Sequence, residues 1–257
     1  MEVSVNGETL HYERAGAGIP LLLVHSLGTG AWMWREQIDH WSNRFEVIAF
    51  DARGHGASTY HGTMSVEAIA SDMRAALGAL GIGPVHLIGI SMGGPIGAHI
   101  RAADPASVRS FVIADSFVKQ GEAGRKRAQD IAMTLASASM ADYGVSYAKG
   151  TLHSSTPKKH FDELAASIAG MDKDAYIEIA QSVFTSDVAA LMAAITQPVR
   201  VLVGAEDMRT PPALSQEIAN LVPHADLQVI DDAAHQSNLD QPKAFQAAVD
   251  DFLARVG

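Results

Sequence analysis

Short runs of uninterrupted apolar residues recur along this chain, with longer stretches of helical periodicity between them. They read IPLLLVHS, FEVIAFD, PVHLIGIS, VRSFVIADS, VRVLVGAED and DLQVIDDAAH, and VSVNGETLHYERAG precedes them. A strand that is apolar at consecutive positions has no face left for water, so such strands belong to a parallel sheet covered on both sides. The intervening stretches supply the cover. Residues 65–80 bring Val66, Ile69, Met73, Ala76, Leu77 and Leu80 to one helical face, and further helices are expected at 93–103, 211–221 and 242–255. In the first run Asn6-Gly7 marks a turn between two antiparallel strands. The expected fold class is therefore α/β, a mostly parallel eight-stranded sheet flanked by helices.

The alternation stops between about Val118 and Thr196, where the sequence turns rich in Ala, Met and Lys and offers no convincing buried strand. The expectation is a core formed by residues 1–117 and 197–257, carrying a helical insertion at 118–196 that acts as a lid. No repeat, low-complexity tract or long linker argues for an independent domain there.

Composition removes several function classes. The chain has 257 residues and no cysteine, which excludes a cysteine nucleophile, thiolate metal sites and disulfides. A net charge of −10, with basic residues scattered apart from Arg125, Lys126 and Arg127, argues against nucleic acid as a partner. The start, MEVSVNGETLHYERAG, has neither a cationic leader nor an apolar signal core, and no apolar run approaches a membrane span. A cytoplasmic protein with no membrane partner is expected. No H-E-x-x-H pattern, Walker lysine or G-x-G-x-x-G spacing is present, so neither a metal nor a cofactor is expected.

One strand end does carry chemistry. Gly89-Ile90-Ser91-Met92-Gly93 closes the apolar run VHLIG and opens a helical stretch, matching G-x-S-x-G in a strand-turn-helix setting. The glycines leave room for a sharp turn in which Ser91 stands clear of the sheet at a helix N-terminus, placed as a nucleophile. A serine hydroxyl needs a base to take its proton, and that base needs a carboxylate to hold its tautomer. In this architecture the order along the chain is Ser, acid, His. Asp207 ends VLVGAED and His235 follows VIDDAAH, both just past a strand end. Among 11 histidines only His235 combines a strand-end loop with a position after the acid. Glu206 and Asp115 are the other acids to weigh, and Asp231 and Asp232 read as turn residues. The two oxyanion donors are expected from backbone N–H groups, Met92 directly after the nucleophile and Leu27 in the loop after IPLLLVHS. His25 and Ser26 either support that loop or border the substrate. DARGHGAS, residues 51–58, reads as a structural connection in which Asp51 and Arg53 can pair.

Taken together, VHSLGTGAWMW, FDARGHGAS, GISMGG, GAEDMRTPP and DAAHQSNLDQPKAF resemble the α/β-hydrolase superfamily in order over nearly the whole chain. The finer pattern resembles the 3-oxoadipate enol-lactonases of aromatic catabolism. That resemblance implies a Ser91–Asp207–His235 triad, Leu27 and Met92 as oxyanion donors, and a small-molecule lactone or ester as substrate. It also implies a free carboxylate on the substrate, for which Arg209, Lys119, Arg125, Lys126, Arg127 and Lys149 are the candidate cations. The chain departs from the family in having no tryptophan in the insertion; Trp32, Trp34 and Trp41 lie near the N-terminal loop. Trp34 joins His25, Ser26 and Arg209 as a candidate for substrate binding. Related chemistries on the same framework are carbon–carbon bond hydrolysis of ring-cleavage products, general carboxylester hydrolysis and perhydrolysis. A binding protein without catalysis is a further class. No oligomeric state is specified by any feature of the sequence.

Overall fold

In the computed structural model, which describes residues 1–257, one sheet runs through the molecule. Its strands are β1 (Glu2–Val5), β2 (Glu8–Ala15), β3 (Ile19–Val24), β4 (Phe45–Phe50), β5 (Val85–Ile90), β6 (Val108–Ala114), β7 (Val199–Gly204) and β8 (Asp226–Ile230). They form an eight-stranded sheet in the order β1-β2-β4-β3-β5-β6-β7-β8. β1 and β2 are antiparallel, with Asn6 and Gly7 both left-handed at the turn, and β2 is antiparallel to β4. Every pairing from β4 to β8 is parallel.

The apolar strands face both ways because successive side chains point to opposite sides of a sheet. Leu22 and Val24 of β3, Leu87 of β5 and Val201 of β7 join one core, which helices α2 (Val66–Ala79), α3 (Gly93–Ala103) and α9 (Pro212–Leu221) cover. Leu21 and Leu23, Ile88 and Ile90, and Leu202 join the other, under α1 (Arg35–Trp41) and α11 (Pro242–Val256). Ser65 caps α2 by accepting the Ala68 N–H at 3.1 Å. The helix α1 and the 3₁₀ turn before it, Ala31–Trp34, occupy a stretch that carries no strong period. Trp34, one of the candidates for substrate binding, is fully buried against Phe245, with ring centroids 6.2 Å apart, on the α1–α11 side of the sheet, and does not line the pocket that contains Ser91.

Between β6 and β7 the chain passes through α4 (Gly121–Leu135), α5 (Met140–Lys149), α6 (Lys158–Ala169), α7 (Lys173–Thr185) and α8 (Ala189–Ala193). The two ends of this excursion meet at a neck, where Val188 N–H donates to the Val118 carbonyl at 3.1 Å and Lys119 bridges to Asp187. Helices α4 to α7 rest on loops at the C-terminal edge of the sheet. Trp32 Nε1 donates to Ser167 Oγ at 3.2 Å, Val66 N–H to Ser182 Oγ at 3.0 Å and His235 N–H to the Thr151 carbonyl at 3.0 Å.

The segment 51–58 is structural, although Asp51 and Arg53 do not pair. Asp51 accepts the Ala31 N–H at 2.7 Å and the Ala57 N–H at 3.0 Å, tying two loops together. Arg53 instead forks onto Asp72, with bonds of 2.6 and 2.7 Å. No helix is long and apolar enough to cross a membrane.

Candidate active site

Ser91 sits directly after β5 in the left-handed region, at φ 54°, which a serine adopts only under constraint from its surroundings. The constraint is visible on both sides. Its N–H donates to the Ala114 carbonyl at 2.8 Å, and its carbonyl accepts Ser116 Oγ–H at 2.7 Å and the Gly94 N–H at 3.0 Å. A side chain at Gly93 would put Cβ 2.5 Å from the Val24 carbonyl oxygen, and one at Gly89 would collide with the Gly93 carbonyl. The turn is this tight because backbone meets backbone at both glycines.

Three strand ends then converge. His235, after β8, places Nε2 at 2.9 Å from Ser91 Oγ and Nδ1 at 2.9 Å from Asp207 Oδ2, Asp207 lying after β7. All three side chains are buried. Asp207 Oδ1 accepts the N–H groups of Arg209 at 2.7 Å and Thr210 at 2.9 Å, and Thr210 Oγ1 lies 2.7 Å from Oδ2. Burial alone would raise the Asp207 carboxyl, but the charge and hydrogen bond of His235, with the Thr210 bonds, outweigh it and hold the group below the usual carboxylate range. An ionised carboxylate only accepts, so Nδ1 of His235 carries the proton and Nε2 is left to accept from the Ser91 hydroxyl. Asp115, the competing acid, has both oxygens committed to other donors. Glu206 points to the surface, where it pairs with His153 at 3.3 Å.

The N–H groups of Leu27 and Met92 donate no hydrogen bond within the chain, although both residues are buried. Unspent buried donors are rare in folded proteins, and Met92 adjoins Ser91 while Leu27 lines the same cleft. The side chains of His25 and Ser26 do not line it. His25 is fully enclosed, its Nε2 accepting the Ala52 N–H at 2.9 Å and its Nδ1 2.7 Å from the Ser26 carbonyl. Ser26 Oγ accepts Gln236 Nε2–H at 2.7 Å. Both side chains brace the loop that presents Leu27.

The cleft over Ser91 is walled by Phe117, Tyr147, Phe184, Arg127 and Arg209. It is nearly filled by these side chains, with a cavity volume of about 10 Å³ left over Ser91. Arg209 donates Nε–H to Thr151 Oγ1 at 2.6 Å and lies 4.0 Å above the Tyr147 ring. Arg127, from α4, donates to the Arg209 carbonyl at 2.9 Å and stands over Phe184 at 5.4 Å. Burial, and then the neighbouring Arg209, lower the Arg127 guanidinium from its ordinary value. Neither arginine has a carboxylate partner; Arg74, Arg101, Arg109 and Arg125 also lack one, but they lie outside this cleft, whereas Arg14, Arg35, Arg44, Arg53, Arg200 and Arg255 are paired. Tyr147, Thr151 and Thr210 escape sequence reasoning. Only the TPP after Asp207 signals one of them.

One group could hold a metal ion. His153, Glu206 and Asp232 bring their ligating atoms within 4.8 Å of one another, but the two acids are exposed and none of the three lines the cleft over Ser91.

The sheet order and the serine turn define a class, and comparison with known proteins agrees. The profile of the α/β hydrolase fold family matches residues 19–242, and the chain belongs to that family of hydrolytic enzymes. It is 31% identical over 246 residues to 3-oxoadipate enol-lactonase 2 of Acinetobacter baylyi, covering 91% of this chain and 88% of that protein. The (E)-2-((N-methylformamido)methylene)succinate hydrolase of the same organism is 26% identical over 254 residues, covering 96% and 95%. The enol-lactonase from Burkholderia xenovorans LB400 superposes with a TM-score of 0.92 at 24% identity, covering 99% of this chain and all of that one, a likeness in fold.

Proposed function

We propose that this hydrolase is a serine hydrolase of small lactones or esters that carry a free carboxylate, with 3-oxoadipate enol-lactone as its substrate. The observation that carries the reading is the unbroken line from Asp207 Oδ2 through the His235 ring to Ser91 Oγ, 2.9 Å at each link. Ser91 Oγ attacks the lactone carbonyl carbon while its proton passes to His235 Nε2. The N–H groups of Leu27 and Met92 receive the charge on the carbonyl oxygen, each such donor contributing about 10²–10³ in rate. The ring C–O bond then breaks, and the enolate oxygen takes the proton back from Nε2, leaving an acyl-enzyme whose chain bears an enol, which tautomerises to the ketone by losing its O–H proton and gaining one on carbon. Water, deprotonated by the same imidazole, releases the dicarboxylic product. Asp207 stays ionised throughout and holds the imidazole in its Nδ1–H form.

Arg127 and Arg209 support the carboxylate on the substrate. Two cations without acidic partners beside the nucleophile repel each other until an anion lies between them. Helices α4 to α7 act as the lid, and the near absence of room over Ser91 implies that the lid or Arg127 moves to admit substrate. The lactone reading also accords with the similarity to the Acinetobacter enol-lactonase.

The test is turnover of purified protein on the enol-lactone, its methyl ester, p-nitrophenyl acetate and a ring-cleavage dienoate. The carboxylated lactone should exceed the uncharged esters at least tenfold in kcat/KM. Preference for the dienoate would replace this reading with carbon–carbon bond hydrolysis, and preference for the uncharged esters with general ester hydrolysis.

A further inference from the structure

The end of β6 carries a buried acid to which the scheme above gives no task. Asp115 is fully enclosed and held left-handed at φ 46°, a conformation an aspartate keeps only when its surroundings over-determine it. Its carboxylate reaches two segments at once. Oδ1 accepts the Gly204 N–H at 2.9 Å, and Oδ2 accepts the N–H and the Oγ–H of Ser237 at 3.0 and 2.6 Å. Gly204 ends β7, immediately before the segment that bears Asp207, and Ser237 follows His235 in the segment after β8. Thr210 Oγ1, besides its approach to Asp207, lies 2.8 Å from the Asp115 carbonyl oxygen and 3.1 Å from His235 Nδ1. The residues on either side, Ala114 and Ser116, are those that hold the Ser91 backbone.

We infer that Asp115 is a positioning residue for the hydrolytic reaction, its carboxylate joining the segment that carries Asp207 to the one that carries His235. The inference rests on the serine-hydrolase reading. Three donors arriving from two directions need a group that accepts on both oxygens, which an ionised carboxylate does and an asparagine, with one acceptor oxygen and one NH₂, does not. The arrangement is costly, since burial and then the nearby Asp207 push the Asp115 carboxyl upward, against the hydrogen bonds of Ser237 and the charge of His235. A buried acid kept beside the acid of the Ser91 line, yet turned away from the imidazole, fits a group whose task is to hold the histidine loop in register. Displacements of the order of an ångström in such a line lower the rate of the chemical step while leaving substrate binding intact.

The experiment measures kcat and KM of Asp115→Asn and Ser237→Ala on the best wild-type substrate at 25 °C, with far-UV circular dichroism and melting temperature beside them. Asp115→Asn should lower kcat about 10- to 100-fold with KM within about threefold, and Ser237→Ala, which removes one of the three donors, about threefold with KM unchanged. In the double variant Ser237→Ala should add less than twofold, because Ser237 Oγ has only Asp115 as a partner. A folded Asp115→Asn with wild-type kcat, or one that loses only KM, overturns the inference. If Asp115→Asn does not fold, an unchanged kcat in Ser237→Ala overturns it in the same way. Failure of the hydrolase reading looks different, as a wild type without turnover; failure of the Asp115 assignment shows against full wild-type turnover.

Discussion

Replacing Arg127 with methionine removes the cation that α4 directs into the cleft and keeps a side chain of similar reach. In the free protein its guanidinium makes one hydrogen bond, to the Arg209 carbonyl at 2.9 Å, and pairs with no acid. Partial burial and the proximity of Arg209 already disfavour its charge. An anionic substrate relieves both penalties. A hydrogen bond to a charged group contributes about 1.5–3 kcal/mol, which corresponds to about 10- to 150-fold in kcat/KM. Arg127→Met should therefore lose about that factor on the carboxylated lactone and stay within about twofold on its methyl ester. Because burial and Arg209 oppose this charge more than its neighbours favour it, the variant should melt no lower than wild type. The assay is the ratio of kcat/KM for acid and ester in the two proteins, with thermal melts alongside. An equal loss on both substrates would show that Arg127 shapes the cleft without recognising charge. No loss on the acid would refute the argument outright.

Gly93→Ala presses a Cβ against the Val24 carbonyl at 2.5 Å, backbone against backbone, so the turn must open and Ser91 must shift; at least a hundredfold loss of kcat with a lowered melting temperature is expected, and near-normal turnover would contradict the geometry. His55 is fully enclosed, and burial, then the neighbouring His25, lower it to about 3. Its folded value lies below the unfolded 6.5, so the stability linked to it is complete above pH 6.5 and is lost as pH falls towards 3. Urea unfolding from pH 6 to 4 should thus decline less steeply in His55→Gln than in wild type, by about 1.4 kcal/mol per pH unit, and parallel slopes would show that His55 protonates freely in the folded state.

Much of this molecule is legible in its sequence, and the boundary between what is and what is not has a physical cause. Regular elements repeat, so the periods around Ile69 and Met73 or along IPLLLV expose both the element and its buried face. The residues of the Ser91 line are legible for a different reason: a parallel sheet gathers its loops at one edge, so a serine, an acid and a histidine past the ends of β5, β7 and β8 are brought to the same edge. Loop side chains obey neither rule. Trp34 in a loop-like stretch reads as a substrate platform, yet the 3₁₀ turn points it into the core against Phe245. His25 and Ser26 look like site residues because they neighbour the oxyanion loop, but their directions are set by Ala52 and Gln236, distant in sequence. Asp51 chooses Ala31 and Ala57 over Arg53 because only the folded loops bring those N–H groups to it. Arg127 and Lys126 are adjacent in the chain, and only the packing of α4 decides that Arg127 faces Ser91 while Lys126 pairs with Asp130 at the surface.

The most direct test is covalent. Purified protein is treated with a fluorophosphonate, digested and sequenced by mass spectrometry, with His235→Ala and Ser91→Ala treated in parallel. One phosphonate per chain is expected on Ser91, with labelling slowed at least a thousandfold in His235→Ala and absent in Ser91→Ala, and hydrolysis lost in step. Labelling at another residue, or turnover above a tenth of wild type in Ser91→Ala, would contradict the assignment of Ser91 as nucleophile.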